Sequence, residues 1–169
     1  MRRRGAAWMP NDKPVVIGLI SDTHGLVRAG VHDALAGVSL ILHAGDVGGD
    51  DVLDELALIA PVEAVCGNTD EPDDPRLAPE LLCDVAGVRI HVSHGHELGQ
   101  PRPEPLAALY AGDVLVYGHT HRALVTWLDG RLVVNPGAAG PRRFDLVPSV
   151  GRLTIVNGRA EVTIVPLDR

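Results

Sequence analysis

Lysine is nearly missing from this chain. Among 169 residues it occurs once, at Lys13, which removes P-loop phosphate binding and Schiff-base chemistry, since both need a lysine in the site. No G-x-S-x-G is present, so a serine elbow has no nucleophile. Aromatic residues make up 3% against 46% hydrophobic; the core must be built from Val, Leu, Ile and Ala, which suits strands buried on both faces. Cysteine is scarce as well. Cys66 and Cys83 show no C-x-x-C spacing and are read as ordinary strand thiols of a cytoplasmic protein. Positive charge is the minority sign. With a formal net charge of -7 there is no basic stripe to release counterions, so bulk nucleic acid is not an expected partner. No apolar run approaches the roughly twenty residues that span a bilayer, so no membrane partner is expected. The opening Met1-Arg2-Arg3-Arg4-Gly5 is followed by no apolar region before Asn11-Asp12-Lys13. Residues 1–13 are expected to form a flexible tail, and residues 14–169 a single domain long enough to bury a full core. Self-association into a homo-oligomer stays open.

What the chain does have is histidine, eight in all, and a repeated strand ending. Val15 to Ser21 is an apolar run that gives way to Asp22-Thr23-His24-Gly25. A short helix over Arg28 to Leu35 precedes a second strand, Ser39 to His43, ending in Ala44-Gly45-Asp46. A helix from Asp50 or Asp51 to about Ala60 leads to a third strand, Val62 to Cys66, ending in Gly67-Asn68-Thr69-Asp70. Strand-helix-strand alternation makes these strands parallel and adjacent, so their carboxyl ends share one edge, where Asp22, His24, Asp46 and Asn68 can meet. Glu71 to Pro79 reads as a surface loop, and Leu81 to Val85 with Val88 to Ser93 as a hairpin ending in His94-Gly95-His96. A loop from Gln100 to Pro105 and a helix from Leu106 to Ala111 precede a strand, Asp113 to Tyr117, that ends in Gly118-His119-Thr120-His121. Two imidazoles two residues apart behind a glycine are a strong metal signal. Asp129-Gly130 and Asn157-Gly158 mark two further hairpins.

Together, Asp22-Thr23-His24, Gly45-Asp46, Gly67-Asn68, His94-Gly95-His96 and Gly118-His119-Thr120-His121 resemble, in order, the signature series of the calcineurin-like metallophosphoesterases. The short length, with Asn135-Pro136-Gly137 and Pro141-Arg142, looks most like the small bacterial and archaeal phosphodiesterase branch. The resemblance implies an α/β fold, a four-layer αββα sandwich of two mixed sheets, with two divalent metal ions at the strand ends. It assigns Asp22, His24 and His121 to one ion, Asn68, His94 and His119 to the other, and Asp46 as the bridge. Manganese is the expected ion, with iron, zinc, nickel or cobalt compatible with oxygen and nitrogen ligands. Two divalent ions against two carboxylates leave roughly two positive charges, which suits an anionic substrate. The implied reaction is hydrolysis of a small phosphodiester by in-line attack of a hydroxide bridging the two ions.

The third motif departs from the larger members of the family, which carry a histidine between the asparagine and the acid. Here it reads Asn68-Thr69-Asp70, and Thr69 is no general acid near neutral pH. His96 is the first substitute and Asp70 the second, against the readings of His96 as a hydrogen-bond partner behind a ligand and of Asp70 as a turn residue. Good leaving groups are therefore favoured. His43 and His91 are read as satisfied core or edge histidines, His32 as solvated, and Arg142 as a surface ion-pair residue before a substrate contact. The alternative function is a protein-binding scaffold of the same fold, like the retromer subunit. A nuclease would need a basic track.

Overall fold

The computed structural model describes residues 13–167; the tail expected over residues 1–13 lies outside them, Lys13 excepted. Three apolar runs become three parallel neighbours: β1 (Val15–Ile20), β2 (Leu40–His43) and β3 (Val62–Val65). Between them run α1 (Gly30–Ala34) and α2 (Asp50–Ala57). The strands alternate as period-two sequences must. Ile17, Leu19 and Leu42 point into one core cluster, while Ile20 and Ile41 point the other way, onto Val31 and Leu35 near α1 and Val52, Leu53 and Leu56 of α2.

The stretch expected as a loop over Glu71 to Pro79 holds a short strand, β4 (Leu77–Ala78), parallel to β3. Two residues carry too little periodicity to announce a strand, and the pairing depends on Cys66, whose N–H donates to Ala78 O at 2.8 Å. The chain then enters a second sheet. β5 (Leu81–Val85) and β6 (Val88–Val92) form the first hairpin, followed by α3 (Pro103–Leu109), β7 (Val114–Val116), β8 (Leu124–Leu128) and β9 (Arg131–Asn135). Helix α3 starts within the expected loop and ends before Ala111. Pro103 opens it because a first-turn residue has no intrahelical partner for an N–H and loses nothing by lacking one.

The last hairpin, β10 (Ser149–Val156) and β11 (Arg159–Pro166), returns to the first sheet, with β10 antiparallel to β1. The two sheets run β11-β10-β1-β2-β3-β4 and β5-β6-β7-β9-β8, both mixed. Their facing sides form an aliphatic core of Ile17, Leu42, Val65, Ile90, Val116 and Val134 with their neighbours. Leu106 of α3 covers Leu115 and Val133 on the outer side of the second sheet, which completes four layers. In the second sheet β6, β7 and β9 are parallel. The ends of β1, β2, β3, β6 and β7 thus open on one edge of the sandwich. Among the described residues no helix is long and apolar enough to cross a membrane.

Candidate metal centre

The loops that leave the parallel strands continue the sheet's pairing. Asp22 N–H donates to Gly45 O and His24 N–H to Asp46 O, both at 3.0 Å. The second sheet joins them where His119 N–H donates to Asp22 Oδ2 at 3.2 Å. Asp22, His24, Asp46, His119 and His121 all take a positive φ. For residues with a Cβ this costs about 1–2 kcal/mol each and survives only where surroundings over-determine it. Gly67 shows how tight those surroundings are: a Cβ there would lie 2.1 Å from Asp46 Oδ1.

Every side chain of the expected ligand set arrives at this edge. Asp22, His24 and His121 form one group of converging donors, and Asp46, His94 and His119 a second. In the first, His121 Nε2 lies 3.2 Å and His24 Nε2 3.9 Å from Asp22 Oδ1, and the two imidazole nitrogens are 3.4 Å apart. In the second, His94 Nε2 stands 3.2 Å from Asp46 Oδ2 and 3.3 Å from His119 Nδ1. Asn68 Oδ1 completes it, 3.0 Å from His94 and 3.1 Å from His119. Asp46 Oδ2 also faces His24 Nε2 at 3.7 Å, so it stands between the groups. Ligands about 2.1 Å from a shared ion are separated by about 3.4 Å in a tetrahedron, and these spacings sit around that value.

The donor chemistry asks for a cation. Asp22 Oδ2 accepts from the Ser21 hydroxyl at 2.6 Å, whereas the buried Asp22 Oδ1 has no hydrogen-bond donor among the described residues. His94 Nδ1 lies 2.8 Å from Ala44 O and donates to it, so in the neutral ring Nε2 presents a lone pair to the oxygens of Asp46 and Asn68. Lone pairs facing lone pairs repel unless positive charge lies between them. Without metal a proton is drawn in: burial works against charging His94, but the Asp46 hydrogen bond and the charges of Asp22 and Asp46 outweigh it and raise the pKa. Burial works to raise the Asp22 carboxyl, yet His121, His94 and Ser21 hold it below the usual range. Asp46 is held well below it too, where burial is overcome by His94 and by the Thr69 N–H at 2.9 Å. Burial lowers the His24 pKa more than Asp46 and Asp22 raise it, with His121 and Arg143 adding to the depression. The residues present fit a pair of divalent cations.

The residues singled out around the ligands fare differently. Asp70 accepts three backbone N–H bonds, from Val47 and Gly48 at 3.1 Å and from Gly67 at 2.9 Å, and so clamps the loop after β2 to the loop after β3. His96 opens a short 3-10 turn at the rim, its ring 5.4 Å from that of His94 and 6.4 Å from that of His119. His32 is not free in solvent but meets Glu55 Oε1 at 3.0 Å. His91 is buried, 2.6 Å from Glu80 Oε2 and stacked on Tyr110.

His43 has a role that the sequence did not announce. Gly45 N–H donates to its Nδ1 at 3.1 Å, so Nε2 carries the proton and donates to Thr23 Oγ1 at 2.9 Å, while Thr23 donates to Val47 O at 2.7 Å. The imidazole ties the Asp22-Thr23-His24 turn to the Gly45-Asp46 turn, and complete burial pushes its pKa down to about 4. A threonine between two ligands was the one available signal. Arg28, whose Nε donates to Gly140 O at 2.9 Å, and Arg143, which lines a recess with His121, carried no signal in the sequence. Contrary to expectation, Arg142 forms no ion pair among the described residues; it lines a narrow recess with His121.

A two-sheet sandwich with paired nitrogen and oxygen donor sets at its strand ends defines the metallophosphoesterase class. The chain belongs to the calcineurin-like phosphoesterase superfamily, whose domain matches residues 15–158. A "Probable metallophosphoesterase" of Methanothermobacter thermautotrophicus is 37% identical over 162 residues, covering 89% of this chain and 92% of that one. A protein named a phosphodiesterase in Methanocaldococcus jannaschii is 27% identical over 139 residues, covering 72% of this chain and 82% of that one. Among solved structures, a single mutant of Vps29 from Entamoeba histolytica shares the fold, with a TM-score of 0.73 and 24% identity over 91% of this chain and all of the other.

Proposed function

We propose that this chain is a dinuclear metal-dependent phosphodiesterase of the cytoplasm that hydrolyses a small phosphodiester. The observation that carries the reading is the shared oxygen: Asp46 Oδ2 lies between two donor groups, 3.2 Å from His94 Nε2 and 3.7 Å from His24 Nε2. Asp22, His24 and His121 would hold one ion and Asn68, His94 and His119 the other, manganese being the ion expected. Bound, the pair would supply a nucleophilic water at neutral pH and neutralise charge on the phosphoryl oxygens. The chain's own residues orient this site. Ala44 O fixes the His94 ring, the Thr69 N–H fixes Asp46, and His43 fixes the turn around Thr23. Asp70, with three N–H bonds to its carboxylate, acts as a positioning residue. That leaves His96, at the rim, to pass a proton to the leaving group. The relative named a phosphodiesterase supports the diester assignment.

The likeness to Vps29 keeps the scaffold as the second reading. One experiment separates them: strip the metals, restore manganese, iron, zinc, nickel and cobalt in turn, and compare a chromogenic diester with the matching monoester. Diester hydrolysis exceeding monoester hydrolysis is expected, and a folded protein inactive with every ion would establish the scaffold. His121→Ala should lower kcat/KM by at least about 100-fold. His96→Ala should slow poor leaving groups more than good ones; equal loss on all would remove it as the acid.

A further inference from the structure

The His119-Thr120-His121 turn is held from two sides. In the second sheet β9 lies between β7 and β8, so the chain leaving β7 must cross the end of β9 to reach β8, and the two histidines stand on that crossing. Asn135 is the last residue of β9 and is fully buried beneath it. Its Nδ2 donates to Gly118 O at 3.1 Å and to Thr120 Oγ1 at 3.0 Å, and its Oδ1 accepts from Gly137 N–H at 2.9 Å. These partners fix the amide. A carbonyl can only accept and a backbone N–H only donate, so the flipped amide would set like against like at both. From the opposite side the first sheet closes in, where a Cβ on Gly118 would lie 2.1 Å from Ser21 Oγ.

This turn is strained, and it faces both halves of the centre. His119 has a φ of 71° and His121 a φ of 63°, a region that residues with a Cβ keep only where their surroundings impose it. His119 converges with Asp46 and His94, and His121 with Asp22 and His24, so one turn supplies a donor to each group. The turn that carries Asp22 and His24 is built alike. Each has a threonine between its two donors, and each threonine hydroxyl meets a buried side chain at the end of the adjacent strand. Thr23 meets His43 of β2, and Thr120 meets Asn135 of β9.

We propose that Asn135 is a positioning residue for both metal ions. By bracketing Gly118 and Thr120 it sets the backbone from which His119 and His121 project, and so couples the two halves of the centre. The inference rests on the dinuclear reading and adds to it a residue that touches neither ion. Asn135→Asp keeps the shape and the acceptor for Gly137, but it has at most one proton to give where the amide gives two. A buried carbonyl or hydroxyl is then left facing a lone pair, and the turn must move. Thr120→Val removes only the hydroxyl bond, and Thr120→Ser keeps it.

Calorimetric titration of the metal-free protein with Mn2+ reads both ions, and cobalt(II) in place of manganese gives visible absorption bands that report donor geometry. In Asn135→Asp both dissociation constants should rise by about tenfold or more, with the cobalt bands shifted and weakened. Thr120→Val should raise both constants by about threefold to tenfold, and Thr120→Ser should restore them to within about twofold. A purely structural role would lower the melting temperature of the metal-free protein and leave the affinities and the cobalt bands of the folded variants unchanged. That result, or a loss confined to one ion, would overturn the proposal while leaving the dinuclear centre intact. If the unsubstituted protein bound fewer than two ions, the dinuclear reading would fall and the proposal with it. Should Asn135→Asp fail to fold, the two Thr120 variants decide by the same measurements: equal affinities in valine and serine would overturn the role of Asn135.

Discussion

The two edges of the sandwich use the same backbone conformation for opposite reasons. At the edge away from the donor cluster, the left-handed residues are Ala86-Gly87, Asp129-Gly130 and Asn157-Gly158, each the two-residue turn of a hairpin. A Cβ added to any of those three glycines would meet nothing within 4 Å. At the other edge Asp22, His24, Asp46, His119 and His121, five of the seven candidate ligands, are left-handed, and Gly67, between them, has no room at all. Turn residues obey local sequence. The candidate ligands are held in strained conformations by neighbours far along the chain, and strain of that kind gathers where function requires a fixed geometry.

Gly67→Ala should break this contrast hardest. The added methyl would strike the Asp46 carboxylate and its backbone nitrogen, so loss of detectable metal binding by calorimetry and a destabilisation of about 3 kcal/mol or more in urea unfolding are expected. Next comes pH. His43 is neutral in the fold with a pKa pushed down to about 4 from 6.5, so between those values the unfolded chain takes up a proton that the native protein refuses. Stability is then full above about pH 6.5 and falls by up to about 3 kcal/mol on acidification to about pH 4. In His43→Gln the slope of unfolding free energy over that interval should flatten; an unchanged slope would show that another group titrates there.

Asp70→Asn should cost about 2 kcal/mol, because charge-assisted bonds to three backbone N–H groups become neutral or are lost. Its effect on kcat should be the same for good and poor leaving groups, since it positions loops. A loss growing with leaving-group pKa would make it an acid instead. Smallest is Gly158→Ala, where the left-handed turn costs about 1 kcal/mol in thermal unfolding and leaves metal affinity unchanged.

The same contrast separates what the sequence makes legible from what it hides. Strands β1, β2 and β3 were readable because apolar runs ended in glycine or small residues, and the Asp-Gly and Asn-Gly turns named two hairpins. The convergence of the candidate donors was readable because five short motifs appeared in order. The hidden features depend on contacts between distant segments. Strand β4 exists through Cys66 and Ala78, the Asp70 clamp through Val47 and Gly48, and the His43 tie through Thr23. None of these pairings leaves a periodic trace.

One pairing bears on how the molecule reaches this state. Strand β1 lies in the middle of its sheet, yet one of its two neighbours is β10, with Val15 opposite Ile155. During synthesis that flank stays an open edge, with unpaired backbone groups, until nearly the whole described chain has emerged. The cost of closing so long a loop falls before most of the sheet's contacts reward it. The turn bearing Asp22 and His24 also leans on Ala139 and Gly140, which arrive equally late. Competence to bind an ion is thus a late event of folding, and metal uptake can serve as a clock for completion of the sandwich.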